Sequence, residues 1–310
     1  MFRTTIALAA LLALGGCIEI PQESATAFQA AAAPQEPRIS GMTAEETYED
    51  RTVDCNSGGG IQLPPRFCAE RTLVVTGRIG VDHLPIDLSA ANGEVAIVPS
   101  AGDAWSFSAT YRVSAPTQEM AREGLDTAWS WSHEEDGRHE LRAGPTPVTG
   151  TNLLGPSVSV AQYRIELPPW VEIDLKAETD NGRISVIGYE MGSVDLETDN
   201  GRIELRGAVR DIRAKTDNGR IDLDVTPRGG AFDLTTDNGR IEVRVPVASA
   251  YGYDVTAKTD NGRIRIALGA GDMREDDDGA TFRSERYDAR PVRTTMALET
   301  DNGRIEVGGG

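Results

Sequence analysis

The chain has 310 residues and a net charge of −18. That balance excludes a nucleic-acid binder, because phosphates are held by Lys/Arg-rich surfaces. Aromatics make up only 5% and glycines number 33, which suits many short strands and turns around a core that a chain of this length can bury.

The first segment, Met1–Gly16, has the form of an export signal: Arg3 gives a positive start and Ile6–Leu14 an apolar stretch too short to span a bilayer. Leu14-Gly15-Gly16-Cys17 resembles a lipobox, which implies cleavage before Cys17 and its diacylation. Several acyl chains on one cysteine anchor a protein stably where a single chain does not. Ile18, in place of Asp, resembles Gram-negative sorting to the outer membrane, on either its periplasmic or its surface face. Residues 17–54 then read as a lipidated start and a disordered tether. They carry Pro21, Pro34 and Pro37, an alanine run at 30–33, and an acidic end at Glu45, Glu46, Glu49 and Asp50. Cys55 and Cys68 are the only other cysteines. In an oxidising compartment they are expected to form a disulfide, since zinc would need two further ligands close by.

Residues 55–165 read as a divergent β region. Leu73–Val75, Pro85–Leu88, Val95–Val98 and Trp105–Val113 are short apolar or alternating runs split by Gly, Pro and Asn-Gly. Ser114–Ala128 reads as a helix capped by Ser114 or Thr117, with Met120, Ala121, Leu125 and Ala128 as its apolar stripe. Strands follow at Trp129–Trp131 and His139–Arg142 around Asp136-Gly137, then a Pro/Gly-rich loop at 144–156 and a strand at Val160–Leu167.

Residues 166–310 are built on Thr-Asp-Asn-Gly-Arg-Ile, which begins at Thr179, Thr198, Thr216, Thr236, Thr259 and Thr300. The starts are 19, 18, 20, 23 and 41 residues apart, the period of a repeat architecture. Apolar residues alternate with polar ones on both sides: Val194/Leu196 before the second copy, Ile203/Leu205 after it, and equivalents in every copy. Each copy is therefore two half-buried strands joined at Asn-Gly, with the glycine expected to take positive φ. A two-residue hairpin fits this pattern, and so does a corner in a β-solenoid. Near-identical corners favour the solenoid, right-handed with coils of about 20 residues, because stacked columns of Thr and Asn reward sameness. Between Leu268 and Thr294, where Glu275–Asp278 lie, one degenerate coil with an excursion is expected.

The repeats, the divergent Ala91-Asn92-Gly93-Glu94-Val95 and the closing Ile305-Glu306-Val307-Gly308-Gly309 resemble the bacterial "putative adhesin" family of envelope proteins. Its units carry a Ser/Thr-x-x-Gly-x-Ile core, and the likeness extends over about residues 70–310. The resemblance implies an all-β solenoid and an envelope location. It brings no ligand and no catalytic residues.

No chemistry competes with that reading. His83, His133 and His139 share no motif, although the last two could face each other across Asp136-Gly137, and there is no nucleophile elbow or phosphate loop. A polysaccharide-active β-helix is the enzymatic alternative; it should break the repeat with unique residues on one face. The Asp column (Asp180, Asp199, Asp217, Asp237, Asp260, Asp301) could make a calcium-dependent binding module, as could Glu275–Asp278. The Arg column three positions on (Arg183, Arg202, Arg220, Arg240, Arg263, Arg304) is instead expected to neutralise those Asp residues, leaving no metal site. The sequence reading is thus a non-enzymatic, lipid-anchored, adhesin-like protein without cofactor, whose partners are the membrane and an envelope protein or glycan.

Overall fold

The computed structural model describes residues 41–55, 66–90, 92–127, 129–135, 138–146, 157–277 and 279–310. The expected signal segment, Cys17, most of the expected tether and Asp136-Gly137 lie outside them. In chain order the strands are β1 (Glu45–Asp54), β2 (Phe67–Arg78), β3 (His83–Ala90), β4 (Val95–Pro99) and β5 (Ala104–Ala115). After helix α1 (Gln118–Gly124) come β6 (Trp129–Glu135), β7 (Arg138–Pro145), β8 (Ser157–Leu167), β9 (Glu172–Thr179), β10 (Arg183–Thr198) and β11 (Arg202–Pro227). The chain ends with β12 (Gly230–Val245), β13 (Tyr251–Ala267), β14 (Gly271–Glu275), β15 (Gly279–Ser284) and β16 (Val292–Gly309). The described residues are almost wholly β, in one 16-stranded sheet that wraps a core without closing.

Strand β10 shows how the sheet wraps. Ile184–Val186 pair with Val95–Ile97 of β4, whereas Val194–Thr198 pair with Leu175–Thr179 of β9. One strand thus serves two walls, and Gly188 at the bend takes φ +86°, a conformation that favours glycine. Successive repeats pair in parallel and in register: Ile184 with Ile203, Ile221 with Ile241, and Ile241 with Ile305. A hairpin inside each copy would be antiparallel, so the solenoid-like alternative is the one adopted. The alternation read from the sequence decides which side chains point in. Ile184, Ile203, Ile221, Ile241 and Ile305 are fully buried, as are Leu196 and Leu234 of the facing wall.

Four expectations are corrected. The acidic stretch Glu45–Asp54 is an edge strand paired antiparallel with β2 and not the end of a tether; a strand that uses only its backbone on one side needs no apolar alternation. The helix is shorter than 114–128, because Ser114 and Ala115 finish β5; Thr117 is the cap, its side chain accepting from the Met120 amide. The insert is no degenerate coil. It forms the antiparallel pair β14–β15, and β15 covers part of β13. The last copy then returns as β16 between β12 and β13, so the stack order is not the chain order.

The fourth correction concerns the Asn-Gly corner. Gly182, Gly201, Gly219, Gly239, Gly262 and Gly303 are not among the positive-φ glycines. Glycine is required there by crowding: a Cβ on Gly219 would sit 1.8 Å from the Gly201 carbonyl oxygen, and one on Gly239 1.8 Å from that of Gly219. Only a residue without a Cβ lets one corner lie on the next.

Upstream of the stack, the core is aromatic. Tyr111 stacks on Trp129 at 4.7 Å between ring centroids, and Phe107 packs on Tyr163 at 5.9 Å. The buried polar ends find partners: Trp129 Nε1 donates to the Tyr163 hydroxyl at 2.9 Å, which donates to the Ser89 carbonyl at 2.7 Å. Cys55 and Cys68 are joined by a disulfide, with Cα atoms 5.4 Å apart.

Candidate functional site

The repeated corner runs along the outside of the stack as parallel columns. Period-two alternation turns each Thr inward, the next Asp outward and the following Ile inward again, while Asn projects from the corner itself. The asparagines form a continuous amide ladder. Asn261 donates to Asn302 at 3.2 Å, Asn302 to Asn238 at 3.1 Å, Asn238 to Asn218 at 3.1 Å, Asn218 to Asn200 at 3.0 Å and Asn200 to Asn181 at 3.0 Å. Asn181 extends it to Asn92 at 2.6 Å, so the divergent upstream unit joins the same column. The Thr column behaves differently. Thr179 reaches the Gly93 carbonyl at 3.2 Å, but the hydroxyls of Thr198, Thr216, Thr236, Thr259 and Thr300 are buried with no partner among the described residues.

The charges are arranged otherwise than the spacing suggested. Arg183, Arg202, Arg220 and Arg240 turn away from the Asp of their own copies and pair with the acidic residue that follows Ile. Arg202 meets Asp222 at 2.7 Å, Arg220 meets Glu242 at 2.8 Å, and Arg183 and Arg240 hold Glu204 and Glu306. These four reach forward to the neighbouring strand, whereas Arg304 stays on its own Glu306, and the expected Asp–Arg columns are not formed. The reason is geometric: Arg and the residue two positions later share one face of a flat strand, whereas Asp lies across the corner. The sequence carried the signal, since that position is Glu204, Asp222, Glu242 and Glu306 in four copies and Ser185 and Arg265 in the others.

Burial pushes the Glu204 carboxyl up, but the hydrogen bond from Arg183 and the charges of Arg183, Arg202 and Arg206 outweigh it and hold the group below the usual carboxylate range. Glu306 is lowered in the same way by Arg240 and Arg304 against burial. The Asp column is left outside this network. Asp180, Asp199, Asp237, Asp260 and Asp301 are exposed, and Asp217 has only Lys215, at 3.9 Å. At the far end, Asp260 and Asp301 share an open groove of about 610 Å³ with Asp276 and Asp277, so the two acidic stretches that the sequence presents separately come together. Even so, no three His, Cys, Asp or Glu among the described residues are placed to hold a metal ion.

The histidines do not converge. His83 pairs with Asp174 at 2.8 Å, His133 stacks on Trp131, and His139 lies opposite Glu134 in the strand pair, not opposite His133.

Residues 165–307 match the family model described as Toastrack DUF4097. No curated protein matches the chain. Among solved structures, a "putative cell adhesion protein" from Clostridium sporogenes ATCC 15579 is 12% identical, with a TM-score of 0.41 over 86% of this chain and 100% of that one. A "putative lipid binding protein" from Parabacteroides distasonis ATCC 8503 is 11% identical, with a TM-score of 0.25 over 86% and 96% of the two chains. Superpositions as loose as these transfer neither fold detail nor function.

Proposed function

We propose, from the match of residues 165–307 to the Toastrack DUF4097 model, that the protein is a non-enzymatic, lipid-anchored envelope protein whose right-handed coils of about 20 residues present a regular, adhesin-like surface. One observation carries the reading. From Asn92 to Asn261 the corner repeats the same amide contact in every coil. An enzyme gathers unlike residues at one place; this ridge spreads like residues along a line. A periodic partner, such as a glycan or an envelope protein with its own repeat, can meet such a line at several points, and the contacts add by multivalency. The anchor is Cys17, and partner contact requires the ridge to be accessible.

Protease treatment of intact and of permeabilised cells tests exposure. Cleavage of the domain in intact cells is expected; cleavage only after permeabilisation would remove adhesion and leave an envelope-structural role. Cys17→Ala should move the protein from the membrane to the soluble fraction, and unchanged retention would show that the anchor lies elsewhere.

A further inference from the structure

The wall that carries the Ile–acid–apolar half of each coil is continuous from β1, through β2, β5, β8, β4, β10, β11, β12 and β16, to the second half of β13. Neither end carries a full further strand among the described residues. Strand β1 pairs with β2 and with no other described strand. Strand β13 is paired with β16 along its whole length, but β15 covers only Asp254–Lys258 on its other side. From Thr259 to Ala267 the outer backbone edge has no partner strand among the described residues. Unpaired edges of this kind are templates for another strand.

The two edges differ in charge and match in pattern. At β13 the forward-reaching Arg ladder is cut short. Arg304 would reach to the next strand, but finds Arg265 where four other coils carry an acid, and stays on its own Glu306 at 3.3 Å. Arg263 and Arg265 are exposed and form no ion pair with a described residue. Beneath them Ile264 and Ile266 are only half-buried, whereas their neighbours Ile305 and Val307 are 0% and 2% exposed. At β1 the polarity is opposite. Glu45 and Glu49 lie on the outer face, opposite Thr76 and Thr72, and form no ion pair with a described residue, since Arg51 beside Glu49 is held by Glu70. Tyr48 lies opposite the buried Leu73, on the inner face, and is 54% exposed.

We infer that β1 of one copy adds to the Thr259–Ala267 edge of a second copy, joining chains head to tail. Parity permits the pairing: with Tyr48 opposite Ile264, Glu45 and Glu49 fall on the face of Arg263 and Arg265, while Glu46 or Asp50 comes opposite Ile266. The added strand supplies the acids that the terminal coil lacks and lays Tyr48 against Ile264. Because the joined surfaces are different patches, the contact is heterologous and each copy keeps one open edge at either end, so growth continues into a filament. The net charge of −18 on each copy opposes association at long range. At physiological salt, where the screening length is about 8 Å, the close pairs decide.

The test is self-association of the full chain at physiological salt, followed by light scattering over rising concentration and by negative-stain microscopy. Wild type should pass from monomer to linear oligomers. Arg263→Glu with Arg265→Glu should abolish every species above monomer, and so should Glu45→Lys with Glu49→Lys, each with a melting curve like that of wild type. Mixing the two double variants should restore oligomers, because each then offers the other a complementary edge. A wild type that stays monomeric at every concentration overturns the inference. So do oligomers that survive both charge reversals, or a mixture that stays monomeric while each variant is folded.

Discussion

The coil stack and the region before it solve the same packing problem in opposite ways. In the stack, aliphatic side chains rest on copies of themselves, and the exterior is held by repeated Asn–Asn and Arg–acid contacts. In the upstream region five aromatic residues, Trp105, Phe107, Tyr111, Trp129 and Tyr163, form an irregular core whose polar ends each need one specific partner. Stability in the stack is spread over many similar interfaces, as expected for a quasi-one-dimensional array. In the upstream region it depends on residues that occur once. The stack therefore tolerates loss of an ordinary contact better than it tolerates anything that separates two coils.

The largest effect should come from separating coils. Gly219→Ala places a methyl group 1.8 Å from the Gly201 carbonyl oxygen, a backbone atom that cannot move without opening the stack. We expect a loss above about 4 kcal/mol in urea unfolding, the range reserved for severe steric damage. Gly308→Ala, with nothing within 4 Å, is the control and should stay within about 0.5 kcal/mol of wild type. If the two variants unfold alike, close approach at the corner is not what selects glycine.

Next comes the contrast between cores. Trp129→Ala should cost about 3–5 kcal/mol, through a large cavity and the lost hydrogen bond to the buried Tyr163 hydroxyl. Ile221→Ala, in the middle of the stack, should cost about 2–4 kcal/mol, because flanking coils close part of the gap. A larger loss for Ile221→Ala than for Trp129→Ala in chemical denaturation would reverse the proposed division between distributed and singular stabilisation.

The smallest effects distinguish the two acidic columns. Glu204→Gln removes a buried carboxylate held by three guanidiniums and should cost about 1–2 kcal/mol, moderated because those arginines reach solvent. The folded Glu204 and Glu306 carboxyls are lowered, so their contribution is complete above the unfolded value of about 4.3 and is lost as pH falls through the folded values. Thermal melts should thus weaken below about pH 4 and less so in Glu204→Gln. Asp237→Asn should change stability by less than about 0.5 kcal/mol and leave the acid dependence intact, since Arg240 is held by Glu242 and Glu306 instead. A calcium-dependent melt abolished by Asp237→Asn would instead make the outer Asp column a metal site.

Much of the stack was decided within single repeat units and was legible there. Alternation told which side chains enter the core, sameness of the corners told that copy lies on copy, and the two cysteines told of their disulfide. These are short-range consequences of the pleat, of Asn amides that can both give and accept, and of two cysteines close in sequence. Tertiary structure decided whatever depended on which strand stood next to which. Near-identical copies are interchangeable neighbours, so no local pattern could show that β16 enters between β12 and β13. Nor could spacing along the chain show that Arg220 takes Glu242, 22 residues on, before Asp217, three residues back: across a parallel sheet the neighbouring strand is only about 4.8 Å away. The acidic Glu45–Asp54 became a strand for the same reason, because β2 offered its backbone an edge that the sequence of β1 alone does not announce.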